Sequence, residues 1–401
     1  MTSNGLQEGS YSEGCPICCR VGMRVFIEIA EVPVHCNILW PTRTNAIQAT
    51  RGAIKLGFCE QCGHIYNLAF TPALMEYTQA YENSLHFSPR FQRYAEAVAQ
   101  HLVDRYDLRD KDIIDIGCGK GDFLKLICKI GNNRGAGFDR SYVPDRDGES
   151  SSERVRFVQD FYSEAYADYS ADLICCRHVL EHIQYPRDFL NTIRRSIGNR
   201  LKTAVFFEVP NALFTLRDLG IWDIIYEHCS YFSDASLTWL FSSRGFNVSD
   251  VSESYEGQFL CLEALPQEDP AEPVAARPEY LELLARHISA FSEQYKQKVE
   301  GWRHQLGDLK KPGRRAVIWG GGSKGVTFLN VLKIQDSIEY VVDINPHKQG
   351  KFVAGSGQQI VPPQFLRGYR PDVVIIMNSI YKDEIWKITR ELGLAVEILT
   401  V

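Results

Sequence analysis

The sequence predicts an α/β protein of three units: a small metal-binding lobe, a central parallel sheet wrapped by helices, and a second sheet of the same kind near the C-terminal end. Three observations carry this prediction. Two Cys-x-x-Cys pairs, Cys15-Pro16-Ile17-Cys18 and Cys59-Glu60-Gln61-Cys62, stand about 40 residues apart near the start. An apolar run with an acid near its end passes into three alternating glycines and an apolar helix pattern, Ile113-Ile114-Asp115-Ile116-Gly117-Cys118-Gly119-Lys120-Gly121-Asp122-Phe123-Leu124. A second strand and glycine loop follow much later, Ala316-Val317-Ile318-Trp319 and Gly320-Gly321-Gly322-Ser323-Lys324-Gly325. The expected units are residues 1–72, 73–265 and 266–401.

The composition agrees with a chain of this kind. A length of 401 residues suits two or three domains, and 45% apolar with 23% charged residues is ordinary for a globular protein. The formal charge is −6, so no basic excess points to nucleic acid or an anionic membrane. No apolar run approaches the roughly 18 residues of a membrane span. Residues 1–14 are polar and lack the apolar core of a secretory signal. The expected location is cytoplasmic. There, the 12 cysteines are read as metal ligands or small buried residues rather than disulfides.

In the first unit each knuckle can present two thiolates from a tight turn, and two knuckles complete a tetrahedral Zn2+ site. Its expected ligands are Cys15, Cys18, Cys59 and Cys62. Four thiolates close the site, so the metal is structural. The competing reading is two unrelated pairs of buried cysteines. Pro72 is expected to open a helical stretch carrying Tyr77, Tyr81, Phe87, Phe91 and Tyr94, interrupted by polar groups at Tyr81-Glu82-Asn83-Ser84 and Phe87-Ser88-Pro89. The default reading of these aromatics is packing, and the alternative is a cover for a bound nucleotide.

The central loop lets the backbone approach a ligand closely, and the helix that follows offers free N–H groups. Asp139 stands 24 positions beyond Asp115, after Gly135-Ala136-Gly137-Phe138, where its two oxygens can accept two ribose hydroxyls. Val155-Arg156-Phe157-Val158-Gln159-Asp160-Phe161 reads as a third strand ending in an acid and an aromatic. The fourth strand, Ala171-Asp172-Leu173-Ile174-Cys175-Cys176, leads to Arg177-His178-Val179-Leu180-Glu181-His182. His178 and His182, four apart, would share a helical face. The order is not the His-Glu-x-x-His of metalloproteases, so position at a strand's carboxyl end is the better guide. After the fifth strand, Asp223-Ile224-Ile225-Tyr226-Glu227-His228-Cys229-Ser230-Tyr231-Phe232 concentrates acids, a histidine and tyrosines that an apolar strand would not tolerate unpaired. A histidine beside a glutamate is suited to proton transfer near neutral pH.

Pro266 to Pro278 reads as a linker, and a long amphipathic helix is expected from about Glu279 to Leu309. Beyond it, Gly320, Gly322 and Gly325 satisfy Gly-x-G-x-x-Gly, and Asp343 lies about 20 residues on. An NAD site there is the weaker reading, because too little chain remains for a substrate domain.

The order Asp-x-Gly-x-Gly-x-Gly at Asp115 resembles the first motif of class I S-adenosylmethionine (SAM) dependent methyltransferases. Together with the Cys-x-x-Cys pairs, the segment Tyr226-Glu227-His228-Cys229-Ser230-Tyr231-Phe232 and Val342-Asp343-Ile344-Asn345-Pro346-His347-Lys348-Gln349-Gly350, the whole chain resembles three-domain, zinc-containing SAM-dependent sugar C-methyltransferases of antibiotic pathways. The resemblance implies a class I methyltransferase Rossmann-like domain between an N-terminal zinc-binding lobe and a second, C-terminal Rossmann-like domain. It implies SAM in the central domain, held by Tyr81, Ser88, Asp115, Gly117, Cys118, Gly119, Asp139, Arg140, Asp160, Phe161 and His178. A small-molecule acceptor, a nucleotide-linked keto-sugar or another natural-product intermediate, would lie between the central and C-terminal domains. His228 would be the base, with Glu227 as its orienter, Tyr226 or Tyr231 as hydrogen-bond donor to an enolate oxygen, and His182 as a second histidine. The chain departs from the family at Ile225 and His178, and at Phe352-Val353-Ala354-Gly355-Ser356-Gly357. An O- or N-methyltransferase on the same scaffold is the alternative. A degenerate binding protein is disfavoured by the three acids at strand ends.

Overall fold

A computed structural model describes residues 14–75, 80–144, 154–268, 272–310, 313–334 and 337–401. The expected role of Tyr77 lies outside the described residues. The first lobe holds strand β1 (Arg24–Pro33), helix α1 (Arg43–Ile47), β2 (Arg51–Phe58) and β3 (Ile65–Asn67). Among the described residues, the helix expected from Pro72 is a single 3₁₀ turn, Pro72–Leu74, and regular helix follows at α2 (Pro89–Arg105). The reason is local. Ser88, preceding a proline, is held extended, and its hydroxyl accepts the Phe91 N–H at 3.3 Å as an N-cap. Tyr81 and Phe87 therefore sit in a loop.

Next come β4 (Asp112–Ile116), α3 (Asp122–Gly131), β5 (Arg134–Phe138), β6 (Val155–Val158), β7 (Leu173–Arg177), α4 (Pro186–Ile197), β8 (Ala204–Pro210) and α5 (Ala212–Arg217). A two-residue β9 (Ser230–Tyr231), α6 (Asp234–Ser242), β10 (Phe246–Ser254) and β11 (Phe259–Pro266) follow. The sheet order is β10-β11-β8-β7-β4-β5-β6. Neighbours from β8 to β6 run parallel, while β11 runs antiparallel to β8, and β10 to β11. Chain order reverses beside β4, so its carboxyl end opens at the topological switch point where such sheets hold ligands.

Alternation along each strand fills both faces. Ile113 and Cys175 pack with α2 and α3 on one side, and Ile114, Ile116 and Cys176 pack with α4 and α6 on the other. The long α7 (Pro278–Lys310) buries Leu284, Ile288, Phe291, Val299 and Trp302 along one stripe. The last unit contains β12 (Ala316–Trp319), α8 (Ser323–Val331), β13 (Tyr340–Val342), β14 (Gln359–Val361), α9 (Leu366–Tyr369), β15 (Val373–Ile376), α10 (Lys382–Glu391) and β16 (Glu397–Thr400). Its five strands are all parallel, in the order β14-β13-β12-β15-β16.

The lobes interlock. The first sheet has the order β1-β2-β3-β9, so its last strand comes from the middle of the chain. Gln258 and Asn378 exchange side-chain hydrogen bonds at 3.2 and 2.8 Å, and the Tyr255 hydroxyl donates to Tyr381 at 2.7 Å. These bonds fix the last unit against the central sheet.

Candidate active site

The loop after β4 is shaped by three left-handed glycines, with φ of 69° at Gly117, 58° at Gly119 and 86° at Gly121. A Cβ on Gly117 would lie 2.1 Å from Val179, whereas one on Gly119 would meet nothing within 4 Å. The open side of Gly119 is where a ligand can approach the backbone. One Asp139 oxygen accepts the Gly119 N–H at 2.8 Å, and the other accepts the Ser141 N–H at 2.7 Å. Asp115, 3% exposed, lies beneath the loop. Burial raises its pKa to about 7, Asp139 adds to this, and Arg177 opposes it. Cys118 is buried within the loop, and burial pushes its thiol up.

The ends of β5 and β6 meet, because the Val158 carbonyl accepts from both Asp139 and Asp160 N–H groups. The exposed Asp160 accepts from the Tyr166 hydroxyl at 2.7 Å and its neighbour's N–H at 2.8 Å, and these bonds hold its carboxyl below the ordinary range. Phe161 is 56% exposed, with the Arg140 guanidinium 5.1 Å from its ring centre. Asp115, Gly117, Cys118, Gly119 and Asp139 thus form one cradle, and Arg140, Asp160 and Phe161 gather at its edge.

His178 and His182 do not share a helix face. His178 has φ 54°, and Leu180–His182 is one 3₁₀ turn. His178 lies with Nε2 2.7 Å from Glu208, which also pairs with Arg177 at 2.9 Å and accepts from Tyr94. Burial alone would lower the His178 pKa, but Glu208 and Glu181 outweigh it and raise it to about 9. Two other residues grouped with the cofactor are placed differently. Tyr81 donates to Glu227 at 2.6 Å, and Ser88 donates to Glu384 of α10 at 2.9 Å while capping α2. Between them Ser84, which the motif reading passed over, reaches Asp122 in the first turn of α3 at 2.8 Å.

On the other side of the strand end, Glu181, His182 and His228 bring one ligand atom each within 4.8 Å of one another. The His182 and His228 ring centres are 4.9 Å apart. His182 Nδ1 lies 3.0 Å from the Glu227 carbonyl and donates there. Burial, with His182 opposite, lowers the His228 pKa to about 3, so the imidazole is neutral.

The residues flanking His228 are placed for other work than the sequence suggested. The Glu227 carboxylate is fully buried and points away, accepting from the Cys36 N–H and Tyr81. The Tyr226 hydroxyl accepts the Thr71 N–H at 2.8 Å, and its ring covers Gly52. The Tyr231 hydroxyl is committed to the Ile225 N–H and carbonyl, both at 3.1 Å. Tyr226 and Glu227 lie in a turn and Tyr231 in the short β9, so these side chains enter three different environments. Glu181 is the acid near His228. The missed signal was an acid in the same strand-end turn as two histidines.

The last unit closes over this region. The Lys348 ammonium lies 3.8 Å, and the Asn37 side-chain oxygen 4.0 Å, from where a Cβ on Gly322 would stand. Asn345 donates to the buried Glu82 at 3.0 Å. In the first lobe, the Cys15 and Cys62 sulfurs are 3.6 Å apart, those of Cys18 and Cys59 3.4 Å, and the four lie within 4.8 Å of one another. Tetrahedral zinc with bonds of about 2.3 Å needs sulfurs about 3.8 Å apart, so the quartet fits that ion.

A family model described as a methyltransferase domain matches residues 90–251, and one described as the C-methyltransferase C-terminal domain matches residues 285–394. C-methyltransferase NovU of Streptomyces niveus is 28% identical over 318 residues, 73% of this chain and 74% of that protein. Among solved structures, the 1,6-didemethyltoxoflavin-N1-methyltransferase of Burkholderia thailandensis is 16% identical, covering 45% of this chain and 82% of that one at a TM-score of 0.35. The magnesium protoporphyrin IX methyltransferase of Synechocystis is also 16% identical, covering 44% and 84% at a TM-score of 0.33. No part of the assignment rests on these two structures. Two consecutive family models, one of them described as a C-methyltransferase C-terminal domain, agree with the curated relative: the chain is a SAM-dependent methyltransferase similar to the C-methyltransferases.

Proposed function

We propose that the protein methylates a carbon next to a ketone through an enolate, on a nucleotide-linked keto-sugar. The observation that carries the reading is the His182–His228 pair, gathered with Glu181 beyond the carboxyl end of the central sheet. SAM, when bound, supplies an electrophilic methyl group. The open side of Gly119 fits a ligand lying on the loop, Asp139 keeps lone pairs for ribose hydroxyls, and exposed Phe161 offers a ring face to adenine. His228 takes the proton next to the ketone, and the electron pair moves onto the carbonyl oxygen. Aligning donor and acceptor contributes about 7–11 kcal/mol of barrier reduction, and the positioned base about 10²–10⁴ in rate.

The nucleotide part of the acceptor would lie towards Lys348 and the glycine loop before α8, which face Asn37 across the gap. Four thiolates from Cys15, Cys18, Cys59 and Cys62 would hold a structural Zn2+, with no open position for chemistry.

The test uses SAM and a nucleoside-diphosphate-linked keto-hexose in heavy water. Native enzyme is expected to form a carbon-bound methyl group and to wash deuterium into the position next to the ketone. His228→Gln should bind SAM normally by calorimetry while turnover falls at least about 10²-fold. A methyl group found on oxygen or nitrogen, or full turnover by His228→Gln, would overturn the reading.

A further inference from the structure

We propose that Glu181 is the positioning residue of the histidine pair: its carboxylate is the counter-ion for the proton that His228 takes up. The inference rests on the reading of His228 as the base. Glu181 is 1% exposed. Its Oε1 lies 3.7 Å from His178 Nδ1, and its Oε2 has no hydrogen-bond partner among the described residues. An unpaired buried carboxylate oxygen is costly unless a cation comes to face it. Besides His178, already set against Oε1, the nearby groups able to become that cation are His182 and His228, whose ring nitrogens lie within 4.8 Å of a Glu181 oxygen.

The backbone is locked around the same spot. The Cys229 thiol donates to the Glu181 carbonyl at 3.4 Å, and His182 donates to the Glu227 carbonyl at 3.0 Å. These bonds stitch the turn carrying Glu181 to the segment carrying His228 on both sides of the base.

Among the described residues, the groups that act on or pack against His228 come from two segments. The turn after β7 contributes His178, Glu181 and His182, and the base's own segment contributes Tyr231. Only Glu181 among them is an acid. Burial works against its charge, but His178 first and then His182 and His228 outweigh it, and its carboxyl is held below the ordinary range. His228 starts neutral. As a proton leaves the acceptor carbon and its electron pair moves onto the ketone oxygen, the imidazolium forms against Glu181. Glu227 cannot do this, because its oxygens already accept from Cys36 and Tyr81.

The test follows histidine-ring nitrogen signals in the full chain with SAM present, with His228 and His182 assigned through His228→Gln and His182→Gln. On acidification, protonation of His228 in Glu181→Gln should begin on the order of one pH unit lower than in native protein. Glu227→Gln should leave it in place. If Glu181→Gln does not fold, Glu181→Asp carries the test, with a smaller shift in the same direction. Unchanged His228 signals in both Glu181 variants would overturn the proposal. So would selective broadening of the His182 and His228 signals by stoichiometric manganese, because it would assign the three side chains to a cation. None of these readouts needs the acceptor. Turnover of the keto-hexose by His228→Gln would instead remove the base itself, so the two failures are separable.

Discussion

At the scale of single residues, the site is built from groups whose charge is set by their neighbours. His178 illustrates this in a form that stability can report. Its folded pKa, about 9, lies above the ordinary 6.5 because Glu208 and Glu181 outweigh burial. Its contribution is therefore fully present below about 6.5 and is lost as pH rises through about 9. Thermal unfolding followed across that window should show native protein losing stability relative to His178→Gln, the two curves converging at the alkaline end. Parallel curves would mean that the imidazolium pair contributes nothing. Residues at strand ends were legible in the sequence, because an acid closing an apolar run has few other reasons to be there. Asp115, Asp139 and Asp160 do lie at such ends. Glu227, Tyr226 and Tyr231 were located but misassigned. Adjacency to His228 says nothing about direction in an irregular segment, and their partners come from residues 36, 71, 81 and 225.

At the scale of elements, the loop after β4 separates two kinds of glycine. Gly117→Ala puts a methyl group 2.1 Å from Val179 on a left-handed backbone. It should destabilise the protein by about 1–3 kcal/mol and weaken SAM binding with it. Gly119→Ala has empty space around the new methyl group. It should cost about 1 kcal/mol of backbone strain yet reduce SAM affinity by a larger factor than Gly117→Ala does per degree of melting temperature lost. Melting curves paired with calorimetry on both variants check this, and equal ratios would count against a ligand on that side of the loop. Periodicity identified the strands well, because buried parallel strands are continuous apolar runs. It failed between Pro72 and Pro89. Aromatics there sit at helical spacing, but Ser88 and Pro89 set the start of α2 more strongly than propensity does.

At the scale of the molecule, the three sheets share packing rather than sitting on a string. One apolar cluster runs from Ile54 and Phe58 in the first lobe, through Trp222, to Phe328 and Val341 in the last unit. Removal of metal should therefore be felt beyond the first lobe. The expected result is one zinc per chain by metal analysis and, for Cys59→Ala or after chelation, a lowered melting temperature together with weakened turnover. Zinc-free protein as stable as native would refute the metal assignment. The sequence could not announce this sharing, because packing between sheets leaves no periodic trace.

The pairing of Ile65 with Tyr231 has a consequence for how the chain is made. The first lobe leaves the ribosome early, but its fourth strand is synthesised more than 160 residues later. Until then β3 exposes an open edge, the kind of surface that pairs with the wrong neighbour. The closing strand begins two residues after His228. Completion of the lobe and placement of the base are thus one late event, and a nascent chain that stalls before residue 231 holds neither.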